Sequence, residues 1–256
     1  KGAQQISSFV VFAVIARLIG PAEYGLVALC GIVMTLMNNV TSGLVDAVIS
    51  MRIKDDLRLS SLFWTVTIGG ACLSALSYFL AYPFSELFGQ PKLASLLQVF
   101  SALPFLFSLS AVPSALITAS MNFRIFTIRT LFASLFAGAA GIFGAMHGWG
   151  SFALAGQQII YHLVIAIVVW WSISWRPRFM FTKDALGEML KLGLGQTGTL
   201  FVSFFDQQTP RFVLGYFLGP AAVGQYSFVV DPRWMTYDEN LATKRPFTCE
   251  LKITRL

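Results

Sequence analysis

Asp206 and Arg211 stand five residues apart in a run that is otherwise largely apolar from Leu190 to Leu218, with Pro210 between them. Ionisable side chains are costly in such a run and usually face a partner or a polar cavity. A carboxylate placed there can couple or gate, and a guanidinium can hold an anion. Five residues is about 140° around an ideal helix, outside the three- and four-residue spacings at which side chains meet. Two readings stay open: Asp206 as a coupling or gating carboxylate with Arg211 as an anion contact, or both as parts of structural salt bridges to another region.

Neutral polar residues form a second group. Gln158 and His162 share a helix face at i, i+4 with Gln157 beside them, Asn38 and Asn39 are adjacent in another apolar run, and Arg17 ends a third. The amides either bond a hydroxyl-rich ligand or tie helices together. His162 adds the option of relaying a proton, and Arg17 either meets an anion or extends its head group to the interface. His147, in a short turn, carries no assignable chemistry. No Gly-x-x-x-x-Gly-Lys loop, His-Glu-x-x-His helix or nucleophile elbow occurs, so no catalytic residue, metal site, cofactor or nucleotide hydrolysis is expected. Cys30, Cys72 and Cys249 have neither metal nor redox spacing, and Cys30 and Cys72 are expected to be small buried hydrophobes.

Composition says what holds these residues. Of the 256 residues 56% are hydrophobic and only 12% charged, and mean hydropathy is +0.70; a globular protein carries about 25% charged residues. Lipid is therefore the expected solvent. The net charge of +6 does not indicate nucleic acid, because the basic residues fall in short clusters between apolar runs instead of on one face.

A crossing helix needs about 20 apolar residues. Seven spans are predicted: Gln4–Ile19, Tyr24–Leu44, Leu62–Tyr82, Leu93–Leu116, Ile125–Met146, Phe152–Trp175 and Leu190–Leu218. The connections after the second, fourth and sixth hold Arg52, Lys54, Arg58, Arg124, Arg129, Arg176, Arg178 and Lys183, whereas those after the first, third and fifth hold Lys92 alone. Basic residues are retained in the cytoplasm during insertion, so the N-terminus is expected there. Gly138, Gly141 and Gly144, with Ala137 and Ala140, form a smooth stripe for a neighbouring helix. Pro104, Pro113 and Pro210 each delete a backbone donor and invite a kink, read as a simple bend or as a hinge. Trp170, Trp171 and Trp175 read as an interfacial belt and not as a sugar-stacking platform.

One pattern recurs. Leu18-Ile19-Gly20-Pro21-Ala22-Glu23-Tyr24-Gly25 ends the first span, and Phe217-Leu218-Gly219-Pro220-Ala221-Ala222-Val223-Gly224 ends the seventh, 199 residues later. Six spans between copies put both on one side of the membrane, as a parallel repeat requires. Residues 1–187 then form one lobe, 188–230 begin a second, and 231–256 form an atypical polar tail. An eighth helix is expected near Tyr226, yet no eighth span can be read, so the chain is expected either to be truncated or frame-shifted after about Val230 or to end in an exposed tail.

These residues carry a resemblance. The run from Ala16 to Leu29, "DAVISMRIKDD" from Asp46 with Phe63-Trp64, "GWGSFALAGQQI" from Gly148, "WRPR" from Trp175 and "FLGPAAVGQYS" from Phe217 resemble, in order, the polysaccharide transporter (Wzx-type) flippases of the MATE-like superfamily. The resemblance covers about Ala16 to Val230; family members carry a full second lobe, and this sequence ends near the start of one. It implies an all-α polytopic membrane bundle, a six-helix N-lobe plus the first helix of a second. It also implies export of an undecaprenyl-pyrophosphate-linked oligosaccharide across the bacterial inner membrane by alternating access. On that reading Arg17, Asn38, Asn39, Gln157, Gln158 and Arg211 contact substrate, and Asp206 and His162 couple or gate. Its partners are the lipid-linked oligosaccharide, membrane lipid, and a polysaccharide polymerase with its chain-length machinery, with no nucleic acid. The rivals are a cation-coupled antiporter of the same superfamily, disfavoured because Arg outnumbers acid within the spans, and a non-transporting fragment.

Overall fold

The computed structural model describes residues 18–51, 56–119, 123–178 and 183–227. The predicted first span up to residue 17, with Arg17, and the polar stretch after residue 227, with Cys249, lie outside the described residues. The regular structure of the described residues is all helix: α1 (Pro21–Met51), α2 (Asp56–Leu87), α3 (Pro91–Phe100), α4 (Ala102–Ala119), α5 (Phe123–Met146), α6 (Ser151–Ser172) and α7 (Lys183–Leu218), with residues 220–227 helical as well. Among the described residues five stretches are long and apolar enough to cross a membrane: Pro21–Asn39, Asp56–Leu87, Pro91–Thr118, Thr127–Met146 and Ser151–Ser172. The protein is a multi-pass membrane bundle. The seventh predicted span is a helix but is not among the five, because the polar run from Asp206 to Arg211 interrupts its apolar character.

The fourth predicted span is broken. Proline 104 lacks an N–H, and its ring collides with the carbonyl four residues back, that of Phe100. The helix accordingly ends at Phe100, turns at Ser101 and restarts at Ala102. At this turn the Ser74 hydroxyl of α2 donates to the Ser101 carbonyl, which ties the break to the neighbouring helix. Pro113 does the same to Leu109, whose carbonyl accepts from the Trp170 indole N–H of α6 at 3.2 Å. Trp170 is thus a structural donor as well as an aromatic at the helix end.

Packing sorts the helices. Of the apolar stretch of α3–α4, 61% is buried, against 22% in α6, which puts α3–α4 at the centre and α6 at the edge. α5 and α6 form a close hairpin, and Gly138, Gly141 and Gly144 are all buried, as the stripe required; a Cβ on Gly144 would lie 3.0 Å from Ala153 Cβ of α6. Around the bundle large apolar side chains stand exposed, among them Phe79, Phe136, Trp171, Val202 and Phe217, which is the arrangement expected of a surface solvated by lipid. Cys30 is buried as expected, but Cys72 is exposed: it shares an outward α2 face with Ile68, Leu76 and Phe79.

The connections meet in two groups. Glu23 at the start of α1 pairs with Lys92 at the start of α3 (2.5 Å) and accepts from the Ser151 backbone N–H that opens α6 (2.9 Å). At the opposite group Trp64 Nε1 donates to the Arg178 carbonyl (3.1 Å), and the Arg178 N–H donates to Ser60 Oγ (3.1 Å). The segments predicted to follow the first, third and fifth spans therefore gather at one end, the Glu23 end. Those around the second and sixth connections gather at another, the Trp64 end. Phe63 seats Trp64, Trp170 and Trp175 edge-on at 5.5, 5.6 and 6.2 Å, and Arg176 lies over the Trp170 ring. Residues 173–178 are not helical, so the sixth predicted span ends at Ser172 instead of Trp175. One basic residue changes place: Arg129, assigned to a connection, lies inside α5, buried, with Nη1 donating to Ser114 Oγ of α4 at 2.8 Å.

Candidate functional site

Helix α7 packs along α1, and four of the predicted polar residues, Asn38, Asn39, Asp206 and Arg211, are carried by this pair. Apolar side chains make its floor: Leu29, Val33 and Met37 of α1, with Phe84 and Phe88 from the neighbouring α2 end and Phe204 of α7. Phe88 meets Phe212 edge-on at 5.4 Å. Gly215 allows the close approach, since a Cβ there would lie 2.9 Å from the Phe88 ring. Between α1, α2 and α7 opens a groove of about 550 Å³, lined by apolar residues except at Gln208 and Thr209.

Polar groups stand on both helices of the pair. Asn39 Nδ2 donates to the Leu200 carbonyl of α7 at 3.2 Å, so this amide joins the two helices; Asn38, beside it, is half-buried. Gln208 is buried and points into the groove, and its Oε1 accepts from Arg211 Nη1 at 3.3 Å. Asp206 is exposed one turn before Pro210. The structure brings Asn38, Asn39, Asp206 and Arg211 onto one helix pair.

Gln157, Gln158 and His162 are elsewhere. They lie on α6, which packs on α5 and α4. Gln158 is exposed and Gln157 half-buried. The His162 ring is held edge-on by Phe107 of α4 at 6.1 Å and by Tyr161 at 5.4 Å. These two ring contacts fix the orientation of the imidazole between α4 and α6.

Three features escaped the sequence reading. Glu23 is the hub of the Glu23 end, and its signal was Lys92, a lone cation on its side of the membrane in need of a counter-charge. Arg129 had a weaker signal, a basic residue four positions inside the predicted fifth span. Gln208 sat unremarked between Asp206 and Arg211. A fourth feature was legible only in part. Gly20 and Gly219 take positive φ, +82° and +81°, a conformation that glycine adopts without strain. Each redirects the chain into a helix opened by proline, the residue suited to the first helical position. The two echoed segments also touch. A Cβ on Gly25 would run into the Pro220 carbonyl and come within 3.0 Å of the Gly224 N; a Cβ on Gly224 would run into the Pro21 carbonyl and come within 3.2 Å of the Gly25 N.

Comparison with known proteins adds the following. The family described as "Polysaccharide biosynthesis protein" matches residues 14–233. The chain is 27% identical over 221 residues to the succinoglycan biosynthesis transport protein ExoT of Rhizobium meliloti, an alignment covering 86% of this chain and 44% of that relative. The chain thus spans less than half the length of the curated relative it matches. No solved structure matches it.

Proposed function

Since this chain belongs to the polysaccharide biosynthesis protein family, we propose that it forms the first half of a flippase that carries a lipid-linked oligosaccharide from the cytoplasmic to the periplasmic leaflet of a bacterial inner membrane. Residues 1–187 are its first lobe, residues 188–230 open the second, and 231–256 are a polar tail. The observation that carries this reading is the reciprocal contact of the echoed Gly-Pro segments, because a two-lobed transporter places equivalent loops across its pseudo-two-fold axis. The match to a transport protein of succinoglycan biosynthesis supports the class of cargo.

The physical task is desolvation. A charged phosphate and sugar hydroxyls cannot enter hydrocarbon without losing their hydration, at several kcal/mol or more for each unpaired group. A lined passage between the lobes supplies replacement hydrogen bonds while the lipid tail stays in the bilayer. On α7, Arg211 offers a cation for phosphate, steered by Gln208; Asp206, exposed one turn away, is the coupling or gating carboxylate. Asn38, Asn39 and Arg17 are further substrate contacts on this reading, with Gln157 and Gln158 on α6, and His162 of α6 couples or gates. The basic connections mark the Trp64 end as cytoplasmic and the Glu23 end as periplasmic.

Complementation tests the reading. A strain lacking its oligosaccharide flippase, supplied with this chain and with a version extended through a full second lobe, should recover surface polysaccharide with the extended version. Membrane insertion of that version without recovered export would refute it.

A further inference from the structure

We propose that the segments Gly20–Gly25 and Gly219–Gly224 are the closure between the two halves at the Glu23 end, and that they must part before cargo can leave there; this rests on the two-lobed transporter reading. The geometry is reciprocal. The contact of Gly25 with Pro220 becomes the contact of Gly224 with Pro21 when each number is shifted by the 199-residue offset of the echo. A contact that maps onto itself in this way is self-complementary about a two-fold axis, here passing between Gly25 and Gly224.

The same two features in each copy build it. A positive-φ glycine followed by proline starts the helix, and four residues after the proline a glycine without a side chain receives the other copy's proline carbonyl. Backbone lies against backbone, so the closure leaves no room for even one methyl group, and its attraction is short-ranged dispersion. Such a contact excludes water while closed and loses little once a small rotation separates it.

The charges sit to one side of the seam. Glu23 ties the start of α1 to Lys92 of α3 and to the α6 amide, all within the first lobe, whereas its counterpart in the second copy is Ala222. The α1 segment is thereby fastened to its own lobe. When the halves move apart, the weakest link is the glycine contact and not the lobe's interior.

The test uses the full-length protein with its native cysteines replaced and cysteines at Ala22 and Ala221, two exposed echo mates. Spin labels at these sites in lipid nanodiscs should give a short-distance population. Gly25→Ala or Gly224→Ala should each abolish it, and the double variant should do no more than either single change, since both break one contact. Gly31→Ala, whose Cβ would meet nothing within 4 Å, should leave it intact. Joining the two cysteines with a short cleavable linker should stop translocation of a lipid-linked oligosaccharide in proteoliposomes, and cleavage should restore it. Unchanged distances in both glycine variants, or translocation by the linked protein, would overturn the closure; the linked arm does so even if the glycine variants fail to fold. An unlinked protein that moves no such lipid while its distances respond would leave the closure standing and remove the flippase reading.

Discussion

Replacing Trp170 by Phe removes one hydrogen-bond donor and little else, which makes it a sharp probe of how this bundle tolerates proline. Pro113 cannot donate to the Leu109 carbonyl, and the Trp170 indole does so instead at 3.2 Å. A buried carbonyl left without a donor costs about 1–3 kcal/mol. The edge-on contact with Phe63 at 5.6 Å is worth about 0.5–1.5 kcal/mol, and a phenyl ring keeps part of it. Trp170→Phe should therefore destabilise by about 2 kcal/mol when residue 113 is proline. In a Pro113→Ala background the backbone N–H of residue 113 returns to Leu109, so the same change should cost only the lost ring contact. The coupling between the two sites should be about 1–2 kcal/mol, read from a double-mutant cycle of helical circular dichroism during denaturation in mixed micelles. Equal penalties in both backgrounds would show that the indole does not replace the missing donor.

The remaining predictions concern charges. Glu23→Ala should destabilise more than Lys92→Ala, because the half-exposed ion pair is worth less than about 1 kcal/mol while the Ser151 amide also loses its charged acceptor, about 1–2 kcal/mol more; thermal denaturation in nanodiscs with the order reversed would contradict the hub role of Glu23. Arg129→Ala should cost about 1–3 kcal/mol by removing the buried partner of Ser114, and a variant as stable as the parent in the same assay would deny Arg129 a structural part. Arg211→Ala in a full-length version should impair export of the lipid-linked sugar with insertion unchanged, and export at the parental level would take Arg211 off the list of substrate contacts.

The helices were legible because lipid imposes a single strong rule, a long apolar run between polar ends. α5 was expected from Ile125 and begins at Phe123; α6 was expected from Phe152 and begins at Ser151. Where the reading failed, a partner remote in sequence decided the outcome. The break at Ser101 follows from Pro104, but the hydroxyl that braces the turn comes from Ser74, 27 residues earlier. Cys72 carries no mark that tells a lipid-facing position from a buried one, since both are apolar. Arg129 looked like a basic anchor because Ser114, its partner on α4, is an ordinary serine in an apolar run. The echo was legible as a repeat, and its meaning as a contact was not: glycine at 25 and 224 says only that a side chain is unwelcome, and the carbonyls that exclude one belong to the other copy. For the polar residues the sequence located the candidates, and the structure separates them into the α1–α7 seam and the α6 face.

A two-lobed transporter requires the Glu23 end and the Trp64 end to be opposite faces of one bilayer. Single cysteines at Lys92 and His147, and at Arg58 and Arg176, should be challenged with a membrane-impermeant thiol reagent in cells whose outer permeability barrier has been removed and whose inner membrane is intact. Labelling of 92 and 147, with 58 and 176 protected until the inner membrane is opened, is the predicted result; labelling that splits 58 from 176, or 92 from 147, would contradict the alternation of spans and the two-lobed transporter with it.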